Sequence, residues 1–252
     1  MPVPLAAQHW VANQPGFRVS QEYLRPGHVE IVDGLPVTIA PRSVCFEMRH
    51  AATLEEAVVA MDMAAFSDLV SIEEAWRHND TLWTWYGVPL SRKAIALADE
   101  NSWSPQEVNM RLVWTIRAER PRPLCNVPVF DRFGRHVGTP DLLDPIAGVA
   151  GEYDGPLHLV GSQRAQDLRR EGAFRALGLE YVTMVGGDRA DGYRSFLLRL
   201  ATAYEHAAYA AEGARPWTVV PPRWWIDTTT VAARRALDPA TRDRLLRHRR
   251  AA

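Results

Sequence analysis

The sequence predicts an α/β protein: a mixed sheet flanked by helices, preceded by a small, mostly helical unit with a β-hairpin. Three observations lead there. Residues 53–74 contain two capping boxes, each opening a helical run. Residues 125–155 read as three short strands separated by turns. Residues 162–211 then read as helix, strand, helix, and such a unit placed after an antiparallel meander makes the sheet mixed. A chain of 252 residues suits one large domain or two small ones, and the pattern divides at 1–100, 101–212 and 213–252.

Taken in order, residues 1–50 read as irregular structure and short strands, with Pro15-Gly16 and Pro26-Gly27 as turn signals. Two apolar runs around Asp33-Gly34 predict a hairpin with a type I′ turn within 28–40. Thr53 with Glu56, and Ser71 with Glu74, open the two capped helices. Trp83, Trp85 and Tyr86 precede Gly87 and read as core packing rather than a base-stacking platform, because aromatic rings dominate core energetics. Ser104, Pro105 and Glu107 supply the N-cap, N1 and N3 of another helix, which Pro121 and Pro123 end. Strands are expected over 125–131, 136–144 and 149–155, with turns at 132–135 and 145–148. A helix over 162–178 ends at Gly178, a strand covers 180–185, and a long helix follows over 191–211. In the tail, Trp224 and Trp225 are expected to pack back on the body, and the last residues to form a short basic helix with a solvated end.

Composition narrows the function. A net charge of −1 gives no global sign of a polyanion partner. Lys93 is the only lysine, so phosphate contacts fall to arginine, backbone amides or a metal. Cys45 and Cys125 are far apart and read as small buried hydrophobes in a reducing compartment. There is no apolar run of the roughly 18 to 20 residues that spans a bilayer, and no secretory signal, so a cytoplasmic protein with no membrane partner is expected.

The chemistry concentrates in residues 139–158, which hold Asp141, Glu152, Asp154 and His158 among apolar neighbours. Acids buried in such a run need a cation, and hard oxygen ligands on adjoining strands suit Mg²⁺ (or Mn²⁺). Strand alternation sets Glu152 and Asp154 on one face, with Asp141 opposite or diagonal to Glu152 on the preceding strand. His158 is able to give or take a proton near neutrality. Gln163, Asp167 and Arg170 follow at helical spacing on one face. The same residues have plainer readings: Asp141 after Pro140 as a turn residue, Asp154 before Gly155 likewise, Glu107 as part of a capping box, His158 as a loop residue.

In order, Ser104 and Glu107, Pro123 and Asn126, Asp141, Glu152 to Gly155, His158, Gln163, Asp167 and Arg170 resemble the very-short-patch-repair-like endonuclease domain of the PD-(D/E)XK nuclease superfamily. The resemblance covers residues 101 to about 190 and implies a restriction-endonuclease-like fold and metal-dependent cleavage of DNA. It implies Asp141, Glu152 and Glu107 as metal ligands, and Asp154 and His158 in catalysis. Gln163, Arg164, Asp167, Arg169 and Arg170 would make the DNA-binding set, with Gln163 and Asp167 ordering the site and the arginines on the DNA backbone. The superfamily's usual lysine is replaced by Asp154, as in the very-short-patch branch, which uses histidine instead. Residues 30–100 are similar to the region preceding this domain in proteins linked to AbiE-type antitoxins. The alternative is therefore a catalytically inactive DNA-binding regulator, or an antitoxin-like protein with a toxin partner in a toxin–antitoxin or phage-defence system.

Overall fold

The chain is a mixed α/β protein; the computed structural model describes residues 3–7, 11–12, 15–155, 162–209 and 215–250. Two short parallel strands come first, β1 (Val3–Ala6) and β2 (Phe17–Ser20). The hairpin of β3 (Val29–Val32) and β4 (Leu35–Thr38) turns on Asp33 and Gly34, whose φ values of 49° and 81° are the two positive angles a type I′ turn requires. A helix not anticipated from sequence follows, α1 (Ala40–His50). No side chain caps it, and its stability comes from burying Val44, Cys45 and Met48. Arg42 and Arg49 are also buried there, and both reach Glu22, at 2.5 and 2.6 Å.

Helix α2 (Leu54–Phe66) is capped by Thr53, and α3 (Ile72–Asn79) carries the complete Ser71–Glu74 capping box. Of the three aromatics before α4 (Val88–Leu97), only Trp85 packs on the helical core; Trp83 and Tyr86 are exposed. Trp85 is held because the guanidinium groups of Arg42 and Arg49 stack on it at 5.3 and 5.2 Å. Gly87 is required here: a Cβ on it would fall 2.1 Å from the Arg49 carbonyl oxygen.

Helix α5 (Pro105–Leu112) continues through one π-helical turn, Val113–Arg117. It is shared by two cores. Val108 and Leu112 pack with α1 to α4, whereas Met110, Val113 and Trp114 pack on the main sheet. The expected strands over 125–131 and 136–144 are each broken in two: β5 (Leu124–Cys125) and β6 (Val129–Asp131), β7 (His136–Gly138) and β8 (Leu142–Asp144). The first break lies at Asn126, whose φ of 47° no strand accommodates. The pieces belong to two sheets. One has the order β10-β9-β8-β5, with β9 (Val149–Asp154) antiparallel to β8 and parallel to β10 (Glu180–Val185), so it is mixed as expected. The other is β11-β6-β7, with β11 (Trp217–Thr218) supplied by the tail.

Helix α6 (Ser162–Ala176) covers one face of the four-stranded sheet, where Phe174 packs with Leu143 and Ala150. On the other face, Trp114 and α7 (Arg194–Tyr209) pack with Val149, Val182 and Met184. Gly151 is glycine because a Cβ there would lie 2.8 Å from the Trp114 ring. The outward edge of β10 is masked: Arg175 and Arg199 donate to the carbonyls of Tyr181 and Thr183 at 3.4 and 3.0 Å.

The tail is not the solvated end expected. Helices α8 (Val231–Arg235) and α9 (Pro239–Leu245) dock on the helical unit, with Val231 in its core. Arg234 is fully buried; it donates to Asp68 at 2.6 Å and to the carbonyls of Ala65 and Glu100. No helix of the described residues is long and apolar enough to cross a membrane.

Candidate active site

Asp141 stands immediately before β8. Its main-chain oxygen accepts from Asn126 N at 2.9 Å, and its Oδ2 accepts from Tyr153 N at 2.7 Å. Both bonds tie it to neighbouring strands. The β8–β9 ladder ends at the pair of Leu142 with Gly151, and Asp141 and Glu152 each lie one residue beyond that pair. Glu152 is buried on the face that α6 covers, and Arg170 of that helix donates to its Oε2 at 2.8 Å. Tyr181, across from Ala150 on β10, faces the same group. Burial, and next the negative charge of Glu152, hold its hydroxyl protonated far above the ordinary range, with Asp141 adding to the effect. Asp154 ends β9 and is exposed.

Glu107 approaches from α5. Its backbone N–H donates to Ser104 Oγ at 3.2 Å, as an N-cap predicts. Its carboxylate does not close a box on Ser104. Oε2 instead accepts from Trp103 N at 2.8 Å and from Asn126 Nδ2 at 2.7 Å. Burial, and then the charge of Asp141, push the Glu107 carboxyl up to about 8, so it is largely protonated at neutral pH. The same Asn126 amide donates to Asn101 O at 2.8 Å, which fixes the strand break beside the acids.

Asp141 is therefore tied to β9 through Tyr153 N and to Glu107 through Asn126, whose backbone N–H donates to the Asp141 main-chain oxygen and whose side chain donates to Glu107. Among the described residues no group of three or more His, Cys, Asp and Glu side chains converges as metal ligands. The oxygen donors that suit a hard cation are Asp141 and Glu152; Glu107 stands beside Asp141 as a carboxylic acid. Of the expected DNA contacts, Arg169 is exposed on α6. Arg170 is turned inward instead, because a carboxylate buried under a helix needs a counter-charge. His158, and the side chains of Gln163, Arg164 and Asp167, lie outside the described residues.

No protein-family model, curated protein or solved structure matches the chain.

Two residues near the acids carried no signal in the sequence. Asn101 donates to the carbonyls of Cys125 and Asn126 at 2.8 and 3.0 Å. Arg249, from the far end of the chain, donates to Asn101 Oδ1 at 3.0 Å and lies over the Phe66 and Trp103 rings. Nothing in residue spacing announces a contact across 148 positions. A mainly apolar cavity of about 440 Å³ lies away from the acids, between β1, β2, α1 and α2.

The raised Glu107 carboxyl has a consequence for stability. A group whose pKa rises on folding stabilises the fold fully below its unfolded value and loses that contribution as pH climbs through the folded one. For Glu107 the loss runs from about 4.5 to about 8. Glu107→Gln removes this titration and keeps an acceptor oxygen for Trp103 N and Asn126. Urea unfolding is expected to show the variant gaining on wild type as pH rises from about 4.5 to about 8, by up to about 5 kcal/mol, with the gap closing toward acid. A difference independent of pH would refute the assignment.

Proposed function

We propose that the chain is a metal-dependent DNA endonuclease or nickase with a restriction-endonuclease-like fold, close in plan to the very-short-patch-repair branch. The observation that supports this reading best is the bond from Tyr153 N to Asp141 Oδ2, which ties the acid before β8 to the residue that follows Glu152 on β9. The mixed sheet, with α5 before it and α6 after the acid strand, supports the same plan.

Asp141 and Glu152 would hold Mg²⁺ or Mn²⁺ through oxygen atoms, a donor set that suits a hard cation. When bound, the cation supplies Lewis-acid polarisation of the phosphodiester and a more acidic attacking water. The chain's own residues do the rest. Tyr153 N orients the Asp141 carboxylate. Arg170 fixes the Glu152 rotamer and offsets its charge until substrate arrives. Glu107, held by Trp103 N and Asn126, stands beside Asp141 as a carboxyl group that burial favours in its protonated form. His158 is the proton carrier that the sequence resemblance implies. Arg164 and Arg169 are the guanidinium groups for the DNA backbone.

The Arg170–Glu152 ion pair and the absence of a lysine after Lys93 favour a second reading, a DNA-binding regulator or antitoxin-like protein without chemistry. One experiment separates the two. Purified protein is expected to convert supercoiled plasmid to nicked or linear DNA in Mg²⁺ or Mn²⁺ and to do nothing in EDTA. Plasmid that stays supercoiled in both cations while DNA binding is retained would assign the chain to the second reading.

A further inference from the structure

The three-stranded sheet carries a surface that the acids do not use. Between β6 and β7 the chain turns at 132–135, and Phe133 at that turn is 69 % exposed. The Arg132 guanidinium lies 4.8 Å from its ring centre and that of Arg135 5.4 Å. The segment after β11 runs alongside: a Cβ built on Gly134 would lie 3.6 Å from Pro222 Cβ. Two residues on, Trp224 is 62 % exposed. It is fixed in place. Its ring meets Trp225 edge-on at 5.6 Å and Phe130 at 6.2 Å. Trp225 itself packs on Phe130 and His136 at 5.1 and 5.0 Å. One ring is partly buried and holds its neighbour at the surface.

Exposed rings on adjoining segments make a candidate contact surface, and the charges around them select the partner. Arg132 and Arg223 are exposed beside the rings, and neither forms an ion pair with a described residue. Rings alternating with cations complement a chain that alternates flat π-faces with negative charge, which is nucleic acid with its bases unstacked. An intact duplex offers such a face only its phosphates and groove edges. The sheet that carries these rings leads along the chain to the acids. From His136, on which Trp225 packs, the chain runs through β7 and Thr139-Pro140 into Asp141, five steps that span at most about 17 Å.

We propose that Phe133 and Trp224, flanked by Arg132 and Arg223, form a stacking platform for unpaired DNA bases on the three-stranded sheet whose strand β7 leads into Asp141. The proposal takes its partner from the nucleic-acid part of the reading above and does not depend on hydrolysis.

The test uses the full chain in EDTA, where cleavage cannot interfere. Probes are a labelled oligothymidine, the same length of perfect duplex, and a duplex with a central mismatched bubble. Wild type is expected to bind the single strand and the bubble at least about tenfold more tightly than the duplex. Phe133→Ala and Trp224→Ala each weaken single-strand binding about tenfold and leave duplex binding within about twofold. Phe133→Tyr, which keeps a ring, restores it. A 2-aminopurine placed in the single strand is quenched by wild type and not by Phe133→Ala, a signal that loss of charge alone does not produce. Wild-type affinity and quenching in both alanine variants would overturn the platform. Absence of oligonucleotide binding, with a changed sedimentation coefficient in Phe133→Ala, would overturn it in favour of a protein interface. Nicking with no role for the rings leaves the nuclease reading standing and removes this one; ring-dependent binding with no nicking does the reverse.

Discussion

Asp141→Asn is expected to lower plasmid nicking in Mg²⁺ by at least about 100-fold, because a cation that stabilises the transition state by several kcal/mol is worth that or more in rate. The asparagine keeps an oxygen for Tyr153 N, so the strand-end hydrogen bond survives and the melting temperature stays close to wild type. Asp141→Ala removes the same charge and in addition leaves Tyr153 N without its acceptor, a further loss of about 1–3 kcal/mol in stability where that group is buried. The pair of variants thus separates chemistry from folding. A second readout belongs to the same substitution. Asp141 is the neighbouring charge that adds to burial in raising Glu107, so Asp141→Asn moves the Glu107 midpoint down. Carboxyl-stretch infrared titration of Glu107 in the two proteins measures it. Equal nicking by wild type and Asp141→Asn, with the asparagine confirmed by mass, would remove Asp141 from the site.

The largest effect on stability is expected at Asp62 and Arg111. Both are buried, and Arg111 Nη2 donates to Asp62 Oδ2 at 2.5 Å. Asp62 Oδ1 accepts from Asp99 N at 2.9 Å, and Arg111 also donates to the Leu97 carbonyl. The pair joins α2 to α5, so it binds the helical unit to the helix that carries Glu107. Asp62→Ala leaves a guanidinium buried with no counter-charge and is expected to cost about 3–5 kcal/mol in urea unfolding. Replacing both partners, Asp62→Leu with Arg111→Met, is expected to recover most of that loss, because desolvating two charges is itself expensive. A single substitution costing under about 1 kcal/mol would mean that water reaches the pair.

The features legible in the sequence are those whose chemistry is local. Ser71 and Glu74 satisfy each other's backbone within one turn of helix, and Asp33-Gly34 takes positive φ at both turn positions. Alternation along β9 put Val149 in one core cluster and Ala150 in another, and it put Glu152 on the face of Ala150. Helix α1 was not legible, because no capping side chain announces it and two of its buried residues are arginines that look like surface. The split of residues 125–131 was hidden too. It rests on Asn126 turning to donate to Asn101 O and Glu107 Oε2, partners 25 and 19 positions away.

By itself, the order of residues determined the mixed α/β plan, the capped helices, the hairpin turn and the candidacy of Asp141 and Glu152. Short-range sterics and side-chain alternation act wherever the segment ends up. Only the tertiary structure decided the charge state and partners of those candidates. It brought Arg170 to Glu152, left Glu107 protonated beside Asp141, buried Arg234 in the helical unit and raised Phe133 and Trp224 to the surface. Desolvation and the field of a neighbouring charge depend on distance through space, and chain spacing does not encode that distance.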